Sequence, residues 1–105
     1  ELKFKEFDWA AFGTIGLENA FGILTQYTSI ERSIQLLTSA RKRFGIPSTP
    51  ITEGISADMT LFTPEGSSVF TIKDILSVSK NSAFIGETMK GKVIGVIARN
   101  QLVLN

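Results

Sequence analysis

The chain of 105 residues contains no histidine and no cysteine. The first absence removes the commonest general base. Together the two remove most of the side chains by which proteins hold transition metals. Without cysteine there can be no disulfide framework, which leaves the cytoplasm as the default expectation for its compartment. Long apolar runs are also missing: nothing approaches the roughly 18 residues of a membrane span. Glu1 to Asp8 alternates charge with bulk and lacks the basic-then-apolar order of an export signal, so no membrane partner is expected. An excess of one charge is equally lacking. Eleven Lys and Arg against ten Asp and Glu leave a net charge of +1, which gives no electrostatic reason for a nucleic-acid partner. The remaining composition, 43% hydrophobic and 20% charged, is that of a globular sequence long enough for one small domain. Such a domain buries roughly 60–65% of its unfolded surface.

Large apolar residues are dense at the start, where Leu2, Phe4, Phe7, Trp9 and Phe12 stand among charged neighbours as an arm that needs a surface to cover. After Gly13 and Gly16, the positions Leu17, Ala20, Phe21, Leu24 and Tyr27 recur at three- and four-residue steps and predict an amphipathic helix over about 16–26. Thr28 and Glu31 have the spacing of a capping box, which predicts a second helix starting near Ser29. Ile30, Ile34, Leu37, Ala40 and Phe44 would line its apolar face. Arg41, Lys42 and Arg43 suit the negative end of its dipole, and Gly45 suits a left-handed cap. Pro47 prevents continuation, and a loop runs from Ile46 to Thr52. Beyond it, Met59, Leu61 and Phe62 predict a strand closed by a turn at Thr63, Pro64, Glu65 and Gly66. Val93–Ala98 and Gln101–Leu104 predict a hairpin turning on Arg99 and Asn100. Ile72–Val78 fits a helical turn or a strand. The order of helices then strands speaks for an α+β unit, or the seam between two domains of something larger.

Few residues here can carry chemistry. A Ser or Thr nucleophile would need Lys or a carboxylate in place of His, and no such dyad is expected. Glu1, Glu6, Asp8 and Glu18 could bind a hard cation, but they read better as solvated charge and helix-start carboxylates. Gly13-Thr14-Ile15-Gly16 could offer N–H groups to an anion, yet it lacks the spacing of a dinucleotide loop or a P-loop and reads first as a tight turn. Asp58 reads as a structural carboxylate accepting backbone N–H bonds at a strand entrance.

Several segments, taken in order, resemble one family. Phe7, Asp8, Ala11, Phe12, Gly13, Gly16, Leu17, Glu18, Ala20 and Phe21 are similar to the turn and helix that follow the last metal-bearing strand of dihydroorotases. Thr28 to Gly45 is similar to the next helix, with Thr38, Ser39 and Ala40 where Asn-Pro-Ala is common. Gly54, Ala57, Asp58, Thr60, Leu61, Phe62 and Pro64 resemble the family's G-x-x-ADLTLFDP strand, with Thr63 replacing Asp. Ser79, Lys80, Asn81, Ser82, Phe84 and Gly86 resemble its SKN-S/T-PFxG segment, with Ala83 replacing Pro. Gly91, Lys92 and Val93 resemble its KGKV.

The resemblance implies an α+β fragment of a larger enzyme. Residues 1–46 would be the C-terminal end of an amidohydrolase (β/α)8 TIM barrel, a loop and two helices, and 47–105 the C-terminal part of a small β-sandwich domain. The implied reaction is the reversible, zinc-dependent hydrolysis of dihydroorotate to N-carbamoyl-aspartate in de novo pyrimidine biosynthesis. The family's metal ligands are an HxH pair, a carbamylated Lys, two further His and an Asp, and all would precede Glu1. The chain is therefore expected to carry no catalytic residue and no metal ligand, and to be inactive alone, with zinc held by the parent enzyme. Gly13, whose turn lies beside the substrate carboxylate in the family, is the one substrate-binding candidate. Implied partners are the rest of the parent chain, further copies through an unpaired sheet edge, and aspartate transcarbamoylase. The alternatives are a non-catalytic interaction module or pseudoenzyme remnant, or a fragment of a related cyclic amidase such as dihydropyrimidinase or allantoinase.

Overall fold

The structure, a computed structural model, describes Glu6, Asp8 and residues 12–105. The arm residues Leu2, Phe4, Phe7 and Trp9, the matched Ala11 and the cation candidate Glu1 lie outside the described residues. The elements are α1 (Ala20–Tyr27), α2 (Ile30–Thr38), α3 (Ala40–Arg43), β1 (Met59–Val69), a 3-10 turn at Ile72–Asp74, β2 (Thr88–Ala98) and β3 (Gln101–Leu104). The strands form one antiparallel sheet in the order β1-β2-β3, with α1 packed on β2. The described chain is thus a small α+β unit. None of its helices is long and apolar enough to cross a membrane.

The first helix begins four residues later than its periodicity suggests, because 17–19 form a turn. The face that α1 buries is also rotated from the expected stripe. Gly22 and Thr25 are buried, while Leu17 and Tyr27 are 94% and 74% exposed. Close approach explains the rotation: a Cβ on Gly22 would stand 2.7 Å from Met89 Cβ, so only a residue without a side chain fits against β2 there. One turn on, the Thr25 hydroxyl lies between Phe21 O of its own helix and Lys90 O of β2. Phe21 meets Phe62 of β1 with ring centroids 4.9 Å apart and planes tilted by 56°, a geometry that adds about 0.5–1.5 kcal/mol to simple burial.

The expected box at Thr28 and Glu31 does not form. Thr28 is the residue that closes α1, its N–H donating to Leu24 O, so the cap of α2 falls one residue later. Ser29 Oγ accepts from Arg32 N at 3.2 Å, and Glu31 lies in the first turn, where a carboxylate suits the helix dipole. The second helix is interrupted at Ser39, after Thr38 Oγ1 bonds back to Ile34 O. It ends as expected on Gly45, at φ +64°, with Ile46 N donating to Arg41 O and Gly45 N to Lys42 O in a Schellman arrangement. Arg41 also donates to Pro47 O, which gives this basic turn a structural role. Of the expected apolar face, Ile34, Leu37, Ala40 and Phe44 are exposed, and Ser33 is the one buried residue of α2.

The sheet departs from expectation at Thr63–Gly66. These residues do not end the strand: β1 continues through them to Val69. Thr63 pairs with Lys92 and Ser67 with Lys90, so Pro64, Glu65 and Gly66 bulge out opposite Gly91. A bulge is where proline, lacking an N–H for the ladder, fits inside a strand. Gly91 lies at φ +74°, and a Cβ there would stand 2.7 Å from Thr63 O. A second irregularity at Leu61/Phe62 leaves Ile94 unmatched on β2. The terminal hairpin forms as expected. Arg99 and Asn100 have φ of 51° and 61°, the two positive values of a type I′ turn, and β2 extends back to Thr88. Ile72–Val78 resolves as the 3-10 turn followed by irregular chain. Its start is a capping box, in which Thr71 N and Oγ1 both donate to Asp74 Oδ2 at 2.7 Å.

The core is small. Among the described residues Phe70 and Ile75 are the buried hydrophobics, 2% and 3% exposed. The chain exposes 8615 Å², whereas a self-contained protein of 11.5 kDa exposes about 5,800 Å². Its radius of gyration is 16.3 Å, against about 13 Å for a compact domain of this length.

Candidate functional site: the Gly13 turn and its clasp

Gly13 sits at φ +65° in an exposed turn, and a Cβ there would meet nothing within 4 Å. The turn is fixed from a distance by Asn81, some seventy residues along the chain. Asn81 Nδ2 donates to Gly13 O at 3.1 Å and reaches Phe12 O at 3.5 Å, while Asn81 O accepts from Ile15 N at 3.0 Å. Thr14 Oγ1 accepts from Ala83 N at 2.9 Å, and Gly16 lies against the Phe84 ring. The N–H of Ile15 is therefore already used and cannot serve an anion.

A second clasp lies just beyond. Glu18 Oε1 accepts from Leu76 N (3.0 Å), Ser77 N (2.7 Å) and Ser77 Oγ (2.9 Å). Partial desolvation works to raise the Glu18 pKa. The Ser77 hydroxyl, the two backbone donors and the nearby Lys80 charge outweigh it and hold the carboxyl below its ordinary 4.5. Asp74 is likewise lowered, by the Thr71 hydroxyl and amide. Both carboxylates border a cleft of about 360 Å³ between α1 and the sheet. Held ionised and occupied as acceptors, they are poorly suited to donate or accept a proton near neutral pH.

The other candidates separate in space or in role. Ser77 donates to Glu18 and Lys80 Nζ donates to Ile75 O at 2.6 Å, so this serine and lysine are committed elsewhere and form no dyad. Among the described residues no three His, Cys, Asp or Glu cluster to hold a metal. The groups present do not fit zinc, and no metal-dependent step can be built on them. Asp58 corrects its reading: it is exposed, and its carboxylate accepts no hydrogen bond among the described residues. The role expected of it falls to Glu18. Asn19, 2% exposed, has neither Nδ2 nor Oδ1 paired among the described residues, a state that costs about 1–3 kcal/mol.

Sequence reasoning missed Asn81 and Glu18 as a pair of clasps, although both lie in segments it had matched to one family. Their sole signal is that each carries a side chain able to reach backbone groups. Nothing in the order of residues says that the two segments touch.

No family model matches the chain. Its sequence is 30% identical to the dihydroorotase of Chlorobaculum tepidum, over 92% of this chain and 24% of that protein. It is 32% identical to that of Endomicrobium trichonymphae, over 98% of this chain and 26% of the relative. For the dihydroorotase of Bacillus subtilis the identity is 33%, over 97% and 26%. The chain thus spans about a quarter of the length of the curated relatives it matches. The resemblance drawn from its motifs is borne out as likeness to a stretch of dihydroorotase.

Proposed function

We propose that this chain is the C-terminal part of a zinc-dependent dihydroorotase-like hydrolase, acting on dihydroorotate and N-carbamoyl-aspartate only as part of the longer parent protein. The observation that carries the reading is similarity to dihydroorotases along nearly the whole chain, at about a quarter of their length. The physical state of the chain supports it. Roughly 2,800 Å² more surface is exposed than a self-contained protein of this mass would show, and the apolar residues Leu37 of α2 and Phe44, the C-cap of α3, stand in that surface. An unclosed core of this size calls for covering chain.

In this reading residues 1–46 belong to the end of the barrel and 47–105 to the small β-sandwich domain. The zinc and its ligands belong to the rest of the parent, so the chain is inactive alone. Gly13 is the substrate contact, its turn facing the substrate carboxylate. The parent is cytoplasmic, and its partners are further copies of itself and a transcarbamoylase of the same pathway.

The test is the intact mass of the native gene product, followed by dihydroorotate hydrolysis with metal analysis. A mass about four times that of this chain, with zinc-dependent turnover, supports the reading. A native product of 11.5 kDa without turnover refutes it and leaves the exposed face as the binding surface of an interaction module.

A further inference from the structure

We propose that β3 is a subunit interface, at which this strand pairs antiparallel with β3 of a second copy about a two-fold axis through Val103. The inference rests on the dihydroorotase reading, in which further copies of the parent are partners, and deepens it by naming the surface and the register. β3 lies at one edge of the sheet and pairs with β2. In an antiparallel pair, residues that exchange backbone bonds alternate with residues whose N–H and C=O point away. Asn105 N donates to Ile94 O, and from there the register runs Gly95↔Leu104, Val96↔Val103, Ile97↔Leu102 and Ala98↔Gln101. Val103 and Gln101 are therefore the bonded positions of β3, and the N–H and C=O of Leu102 and Leu104 face outward at the free edge. The side chains there are exposed as well, Leu102 to 57% and Val103 and Leu104 to 61%. The outer edges of the sheet differ in their protection. On β1 the bulge of Pro64, Glu65 and Gly66 interrupts the edge, a device that keeps an edge from pairing. Gln101–Leu104 has no bulge, no proline and no charge. Such an edge accepts an extended segment with the same spacing of outward groups, and β3 of a second copy has that spacing. With Val103 on the axis, Leu102 meets Leu104 of the partner subunit and Leu104 meets Leu102 of the partner subunit, so every outward group is bonded and the contact closes on itself. Moving the axis to Leu102 or Leu104 would leave half of these groups unpaired within the strand. In the Val103 register no charge is brought against its like.

The experiment uses the full-length protein that contains this chain. A pairing this short falls below the roughly 1,200 Å² at which standard interfaces begin, so the dimer is expected at tens of micromolar in sedimentation equilibrium and is expected to dissociate on dilution. Across the axis, Val103 and Val103 of the partner subunit form a non-hydrogen-bonded pair with Cα atoms about 4.5 Å apart, within the reach of a disulfide. Val103→Cys is expected to give a covalent dimer on mild oxidation. Leu102→Cys, displaced by two residues from its own copy, is expected to give none beyond that of the unsubstituted protein. Leu102→Pro removes an outward N–H and leaves the β2–β3 bonds in place, since an edge accepts proline where the N–H faces solvent. The expected result is a dimer weakened by about tenfold or more, with dihydroorotate turnover per chain within about twofold. Should Leu102→Pro fail to fold, the contrast between the cysteine variants decides. An unsubstituted protein that stays monomeric at these concentrations, as it would with β3 covered by another strand of the parent, overturns the proposal. So does equal crosslinking of Val103→Cys and Leu102→Cys, or dimerisation unchanged by Leu102→Pro; in each case turnover of dihydroorotate leaves the dihydroorotase reading standing. A dimer crosslinked through Val103→Cys in a protein whose unsubstituted form has no turnover supports the pairing and refutes that reading.

Discussion

Replacing Gly91 by alanine tests how the long strand pair is built. Two separate penalties meet at this residue. A side chain at φ +74° costs about 1–2 kcal/mol for an L-residue in the left-handed region. In addition, the new Cβ would stand 2.7 Å from Thr63 O, a main-chain atom of the facing strand. Carbon-to-oxygen contacts between strands normally run about 3.3–3.6 Å, so β1 and β2 must part by about half an ångström or more at the bulge. Overpacking of this kind adds about 1–3 kcal/mol. The sum is about 2–5 kcal/mol, a large part of the stability of any small domain. Gly66 supplies the control, since it belongs to the same bulge at φ +86° but has open space where its Cβ would go. Gly66→Ala therefore meets the conformational penalty alone. Amide exchange along β1 and β2 reads the local opening free energy of each variant. Gly91→Ala is expected to lower it by at least about 1 kcal/mol more than Gly66→Ala does. Equal losses would show that Thr63 O does not confine Gly91, and the proposed pairing of Pro64–Gly66 opposite one residue would fall with it.

Glu18 has a folded pKa below its ordinary 4.5, so its clasp contributes fully above pH 4.5 and is lost as pH falls through the lowered folded value. Exchange protection of the Ser77 amide should drop in acid, and Glu18→Gln should remove that dependence; protection persisting in the wild type well below the folded pKa would refute it. Ser29→Ala should destabilise by about 1 kcal/mol and Thr28→Ala by clearly less, as urea midpoints will report, because Ser29 is the cap that bonds Arg32 N. At the hairpin, Arg99→Asn combined with Asn100→Gly provides the residues that a type I′ turn favours. A rise in melting temperature is expected, and a fall would mean that the Arg99 side chain has a role its positive φ does not reveal.

Some of this fold is written in short stretches of sequence. Gly45 after a basic turn, the Arg99-Asn100 hairpin and a second helix starting near Ser29 each depend on chemistry within five or six residues, and each appears where expected. The capping box at Thr71 and Asp74 follows the same local rule. Other features required the partner segment. Thr63–Gly66 has the composition of a turn, and only the resumption of pairing between Ser67 and Lys90 makes it a bulge. The buried face of α1 differs from its apolar stripe because the helix rests on its smallest residue, Gly22, against Met89, where closeness of backbones counts for more than the stripe.

The candidate site divides in the same way. The absence of histidine and cysteine was enough to say that this chain supplies neither the usual base nor a zinc site ligated by His or Cys, since no fold can create side chains the sequence lacks. That Asn81 grips Gly13, and that Glu18 rather than Asp58 receives backbone donors, was decided by tertiary structure alone. A hydrogen bond depends on distance in space, and residues some sixty or seventy positions apart in the chain acquire that distance only when the sheet and α1 bring their loops together.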